Sequence, residues 1–211
     1  MSIFEEMSSF LQQGRAPKVK ELVAQALADG EDAKKILEQG LLSGMGIIGA
    51  KFKNNEVYVP EVLIAARAMN AGMEILKPAL ASSDVKAVGK AILGTVKGDL
   101  HDIGKNLVKI MLEGKGIEVI DLGTDVAPET FIQAAIDNDA KVVACSALLT
   151  TTMGVMKDVV DKAKEMGVRD KLSIMVGGAP VTENYKDSIG ADYYTPDAAS
   201  ASDVAYQILS A

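Results

Sequence analysis

The sequence predicts an α/β protein: an N-terminal helical-bundle cap over residues 1–88, then a flavodoxin-like doubly wound sheet of five parallel strands over residues 89–211. Three observations carry this. Up to about residue 88, apolar positions recur at helical spacing and no strand-like run intervenes. From Lys90 onward, short apolar runs alternate with helical stretches, the signature of a parallel sheet clothed by helices. Glycines and small polar residues gather where those runs end, the edge at which open α/β sheets bind ligands.

The elements follow in order. Ile3, Phe4, Met7, Phe10 and Leu11 make a short amphipathic helix ended by Gly14. Ala16–Ala28 is a second, with Val19, Leu22, Val23 and Ala26 on one face and Gly30 as its stop. Asp32 caps a third, running through Ile36, Leu41, Met45 and Ile48 to about Phe52. Gly40, Gly44, Gly46 and Gly49 inside it predict close approach of a neighbouring helix, with a break near Gly46 as the alternative. Pro60 opens a fourth helix that runs toward Pro78. Residues 81–88 read as a linker. The strands are expected at Ala91–Val96, Glu118–Asp121, Val142–Ser146, Ser173–Val176 and Asp192–Tyr194, with helices over 103–115, 128–138, 153–166, 182–189 and 198–210.

Composition narrows the function. The chain has 48% hydrophobic and 24% charged residues, enough for sizeable cores. A net charge of -7 with pI near 4.8 argues against nucleic acid and anionic membranes as partners. No apolar run is long enough to span a bilayer, and the acidic start Met1–Glu6 lacks the basic segment of a signal peptide, so a cytoplasmic location is expected. One cysteine, Cys145, leaves no internal disulfide and no multi-cysteine metal site. It lies on an apolar strand and reads as core.

The chemistry concentrates at three strand ends. The first, Gly98-Asp99-Leu100-His101-Asp102-Ile103-Gly104, holds the one histidine of the chain, with a carboxylate two residues before it. That pairing makes His101 a candidate metal ligand with its hydrogen-bonding partner built in. Asp99 capping the following helix is the alternative, and Asp102 reads as a helix cap. The second strand ends at Ser146-Ala147-Leu148, with hydroxyls at Thr150 and Thr152 beyond. The third ends at Gly177-Gly178, where missing side chains let a ligand approach the backbone. In the order 2-1-3-4-5 these three strands are neighbours, so their ends meet in one slot.

The pattern Asp99-x-His101-x-x-Gly104, Ser146-x-Leu148, Gly177-Gly178 resembles the cobalamin-binding domain of corrinoid proteins. Val59–Met69 in the helical half is similar to the cap helix of methionine synthase and of methyltransferase-associated corrinoid proteins. The resemblance implies cobalamin bound with its own base displaced (base-off), His101 as the lower ligand of cobalt and Asp99 on its other ring nitrogen. Thr152, where methionine synthase has a serine, would extend that pair into a relay. Asp102, Ile103, Gly104, Ser146, Leu148, Thr150, Gly177 and Gly178 would line the cofactor slot. Tyr58, Val59, Val62 and Met69 would cover the upper face, swinging aside about the linker at 81–88. The implied function is a methyl carrier without catalysis of its own. It would take a methyl group on cob(I)alamin from a methylamine, betaine, methanol or aryl ether through a substrate-specific methyltransferase. An acceptor-side methyltransferase would pass it to tetrahydrofolate or a thiol cofactor, and a reductive activator would restore cob(II)alamin. The alternative is the cobalamin-binding subunit of an adenosylcobalamin-dependent mutase; such subunits do not normally carry the helical cap.

Overall fold

The computed structural model describes residues 1–81 and 87–211, and the linker expected over 81–88 falls largely outside the described residues. The chain divides into two compact units, Met1–Lys86 and Ala87–Ala211.

The first unit is helical: α1 (Ile3–Gln12), α2 (Ala16–Ala28), α3 (Ala33–Lys35), a π-helical segment (Ile36–Leu42), α4 (Ser43–Lys53) and α5 (Val59–Ala81). Ser2 and Glu5 close a capping box on α1. Asp32 caps α3 through the Lys34 amide at 2.9 Å. The glycines of the third predicted helix divide by position. Gly40 faces Met7 of α1, and a Cβ at Gly44 would stand 3.1 Å from the Ser8 carbonyl, so both admit α1 closely. Gly46 faces open space, and the helix does not break there. The irregularity comes earlier, as one widened π stretch. On α5, Val62, Ala65, Met69, Gly72 and Leu76 form the buried row. The helix continues past Pro78 to Ala81 rather than ending before it. Pro78 is exposed and close to the helix end, where a missing N–H disturbs little.

The second unit is the doubly wound sheet. Its strands are β1 (Lys90–Thr95), β2 (Glu118–Asp121), β3 (Val142–Ser146), β4 (Ser173–Gly177) and β5 (Tyr193–Tyr194), all parallel, in the order β2-β1-β3-β4-β5. Between them run α6 (Ile103–Glu113), α7 (Pro128–Asp137), α8 (Gly154–Glu165) and α9 (Glu183–Ile189), and α10 (Ala198–Ser210) closes the unit. Side chains alternate across the sheet. Ile92, Val143, Cys145, Ile174 and Val176 join α7 and α8 in one core, through Phe131, Ile132, Met156 and Val160. Ala91, Leu93, Val142, Ala144 and Met175 join α6 and α10 in the other, through Leu112, Ala201 and Ala205. Burial on both faces explains why the strands read as continuous apolar runs.

Gly94 is a tight point of that packing. A Cβ there would stand 2.8 Å from the Phe131 ring, which is itself wholly buried. Gly94→Ala should therefore lower stability by roughly 1–3 kcal/mol through overpacking. Urea unfolding should show a lower midpoint at unchanged slope; an unchanged midpoint would mean the ring has room to move.

Candidate functional site

The carboxyl ends of β1, β3 and β4 are adjacent, and the loops leaving them build one constellation. Val96, just past β1, makes one isolated bridge with Val126, and Gly98 then takes a φ of +84°, turning the chain so that Asp99 points inward. Asp99 is 0% exposed, and every acceptor position it offers is used. Oδ1 accepts the His101 amide at 3.1 Å and lies 2.7 Å from His101 Nδ1. Oδ2 accepts the amides of Leu148 at 2.8 Å and Leu149 at 3.2 Å and lies 2.9 Å from Thr152 Oγ1. Burial alone would raise the Asp99 pKa. The Leu148 and His101 amides, the His101 ring and the Thr152 hydroxyl outweigh it and hold the carboxyl well below the usual carboxylate range.

An ionised carboxylate only accepts, so Nδ1 of His101 must carry the proton. Neutral imidazole then has its lone pair on Nε2, which makes no hydrogen bond among the described residues. The His101 side chain is 51% exposed, while Asp99 beneath it is sealed off. Thr95, at the end of β1, donates its hydroxyl to the His101 carbonyl at 2.9 Å and pins the loop from below. The Thr152 hydroxyl lies equally close, at 2.9 Å, to Asp99 Oδ2 and to the Leu149 carbonyl. Both are acceptors, so its single proton serves one at a time.

Among the described residues, no three His, Cys, Asp or Glu side chains converge to hold an ion. One open imidazole nitrogen cannot retain a free cation; a metal bound here must bring its other ligands with it. The surroundings suit a large apolar carrier. Leu100 is 74% and Ile103 77% exposed on either side of His101, and Leu148 and Leu149 are exposed on the neighbouring loop.

The other predicted residues fall as follows. Ser146 is half-buried and in register with Gly177. Gly177 has ordinary clearance, with a Cβ 3.4 Å from the Thr195 carbonyl. Gly178, at φ +129°, lies against the backbone of Ala147, so its missing side chain is required by the protein itself. Thr150 and Gly104 are exposed. Asp102 occupies the N-cap position of α6 but does not cap it with its side chain, which accepts from Asn106 Nδ2 at 3.2 Å instead. Asp99 likewise accepts from the loop and not from α6. Cys145 is buried, and burial pushes its thiol up to about 12, consistent with core packing. Tyr58, Val59, Val62 and Met69 lie in the helical unit. Tyr58 is exposed and Val59 partly so, whereas Val62 and Met69 sit in the buried row of α5.

Sequence reasoning missed Thr95, Leu149, and the carboxylates at the end of β2 and in the loop after it that hold the histidine loop. Asp125 accepts the Gly98 amide at 2.7 Å, and Asp121 pairs with buried Lys105 at 2.7 and 2.8 Å. A polar residue closing an otherwise apolar strand was the available signal for Thr95.

Comparison with known proteins agrees with this geometry. Residues 89–202 match a B12 binding domain, and residues 3–77 match a second family profile, also described as a B12 binding domain. The chain is 42% identical over 190 residues to trimethylamine corrinoid protein 1 of Methanosarcina acetivorans, covering 89% of this chain and 87% of that protein. It is 38% identical over 212 residues to a corrinoid protein of Desulfitobacterium hafniense, covering 99% and 98%. Among solved structures, it superposes on a chain of the methanol:cobalamin methyltransferase complex of Methanosarcina barkeri with a TM-score of 0.90, at 29% identity, over 98% of this chain and 79% of that one. A cobalamin-binding protein from Desulfitobacterium hafniense matches with a TM-score of 0.79 at 30% identity, over 97% of both chains.

Proposed function

The chain belongs to the B12-binding corrinoid proteins, and from that premise we propose that it is the methyl carrier of a methylamine-type methyltransferase system, working between two methyltransferases. The observation that carries this is His101 with Nδ1 fixed by Asp99 and Nε2 open, in a chain 42% identical to a trimethylamine corrinoid protein. A methylated amine is the proposed donor, ahead of methanol, betaine and aryl ethers. Tetrahydrofolate or a thiol cofactor is the proposed acceptor, reached through a second methyltransferase, with a reductive activator as third partner. Among the described residues no helix is long and apolar enough to cross a membrane. A cytoplasmic location is proposed with the methyl-carrier role.

The bound corrinoid supplies a cobalt centre that can take up and release a methyl group. His101 would hold that cobalt through Nε2, in the base-off mode of binding. Asp99 keeps Nδ1 protonated and makes the imidazole a better donor. Ser146, Leu148 and Gly177 would line the slot for the cofactor's polar tail, with Asp102, Ile103, Gly104 and Thr150 at its mouth. In the helical unit, exposed Tyr58 is the foremost candidate to touch the bound corrinoid. Val59 comes next, and Val62 and Met69, buried, would act by supporting them.

The test is spectroscopic. The protein loaded with cob(II)alamin should show paramagnetic splitting from one protein nitrogen, and His101→Ala should abolish it. Identical splitting in the variant would remove His101 as ligand. Offering trimethylamine, dimethylamine, methanol and betaine with their methyltransferases should then methylate the loaded protein from an amine first.

A further inference from the structure

The loop carrying His101 is held at both ends by two carboxylates, one closing β2 and one in the loop that follows it. At its start, Asp125 accepts the Gly98 amide through Oδ1 at 2.7 Å, and the Asp125 amide donates to the Asp99 carbonyl at 3.0 Å. At its exit, Asp121 binds Lys105, in the first turn of α6, through both oxygens, and Lys105 is 2% exposed. Asp121 Oδ1 also accepts the Gly123 amide at 3.0 Å, which shapes the loop that presents Asp125. Main-chain bonds lock the two loops together: Thr95 N–H to the Gly123 carbonyl at 2.9 Å and Val126 N–H to the Thr95 carbonyl at 3.0 Å.

Asp125 makes its contacts from a left-handed backbone, φ +57°. Glycine takes that conformation at no steric cost, and aspartate is among the few other residues that visit it. What aspartate adds is the acceptor on Gly98. That acceptor lies one residue before the carboxylate that orients the imidazole. Slack at Gly98 passes directly to Asp99, and from Asp99 to the ring.

We propose that Asp125 is a positioning residue for His101: its two-way clamp on Gly98 and Asp99, opposed by Asp121–Lys105 at the other end, fixes the loop that presents Nε2 and so sets how fully the imidazole engages cobalt. The inference rests on the reading of His101 as the cobalt ligand. It separates two roles open to Asp125, backbone shape alone and side-chain clamp.

Two full-length variants distinguish them. Asp125→Gly keeps the left-handed backbone and loses the acceptor; Asp125→Asn keeps both the acceptor and the tolerance of that backbone. In unloaded protein, the Gly98 amide should exchange with solvent roughly ten- to hundredfold faster in Asp125→Gly, the range expected for loss of a hydrogen bond to a charged acceptor. In Asp125→Asn, whose amide oxygen accepts without a charge, the rate should fall between the parent and Asp125→Gly. After loading with cob(II)alamin, the fraction of cobalt showing nitrogen splitting should fall severalfold in Asp125→Gly and recover in Asp125→Asn. Parent-like exchange and splitting in the glycine variant would overturn the clamp and leave the ligand reading intact. Absence of nitrogen splitting in the parent itself would overturn the ligand reading, and this inference with it, whatever the variants do.

Discussion

Replacing Asp99 by alanine should cost on the order of 3–5 kcal/mol of folding stability and abolish retention of the corrinoid. The carboxylate is fully buried and accepts from the amides of His101, Leu148 and Leu149, from the Thr152 hydroxyl and from the His101 ring. Alanine leaves two or three of those amides in a closed space without an acceptor, at about 1–3 kcal/mol each. Only Thr152 has another acceptor ready, the Leu149 carbonyl. Asparagine is the more informative substitution. Both sides of the carboxylate face donors, so the asparagine NH2 must meet a donor whichever way it turns. Turned toward His101, it forces Nδ1 to accept, moves the ring proton to Nε2 and fills the lone pair proposed for cobalt. Asp99→Asn should therefore fold better than Asp99→Ala and still lose nitrogen splitting on cob(II)alamin. Splitting retained at parental strength would show that the carboxylate does not fix the tautomer.

The same residue sets a pH dependence. Asp99 has a folded pKa below its unfolded value. The unfolded state therefore binds more protons in acid, and the Asp99 contribution to stability is complete above the ordinary carboxylate range. It is lost as pH falls from about 4 toward the folded pKa. The acid limb of the stability curve should be steeper in the parent than in Asp99→Asn, and chemical denaturation at a series of pH values between neutral and acid checks this.

These interactions were unequally legible in the sequence. The sheet was readable because all its central strands are buried on both faces, so each appears as an unbroken apolar run between helical stretches. Asp99, His101 and Ser146 could be singled out because polar residues at the ends of such runs are conspicuous, and Thr152 through the family resemblance. The bracing around them was not readable. Asp125 lies 27 residues from Gly98, and Asp121 lies 16 from Lys105. In one dimension Asp125 looks like an ordinary loop acid and Asp121 like the last residue of a short strand. The π segment at Ile36–Leu42 likewise preserves the apolar pattern of an α-helix and leaves no separate mark. Tyr58 lies just before α5 and Val62 in its first turn, and composition alone could not say which was buried and which exposed.

The glycine doublet was legible as a motif but not as two different residues, and here the second large effect is expected. Gly178→Ala should destabilise the protein by roughly 3 kcal/mol or more, while Gly177→Ala should cost about 1 kcal/mol or less. At Gly178 the φ of +129° is itself closed to a side chain. A methyl group there would overlap the Ala147 carbonyl oxygen and stand 2.9 Å from its carbon. Relief requires the backbone at Ala147 to move. The next residue, Leu148, gives its amide to Asp99 at 2.8 Å, so that movement draws a donor away from the buried carboxylate. Gly178→Ala should thus also speed exchange of the Leu148 amide and weaken the hold on His101, although the two residues lie on different loops. Gly177 has only Thr195 nearby, its carbonyl at 3.4 Å and its hydroxyl at 3.9 Å, so a methyl group would be tolerated by the protein, at the strand end proposed to line the tail slot. Gly177→Ala should accordingly melt near the parent and release its corrinoid faster. Thermal unfolding and corrinoid release, measured on both variants, separate a glycine required by the fold from one required by the ligand. Equal stability of the two variants would mean that the β3–α8 loop yields to the added methyl group.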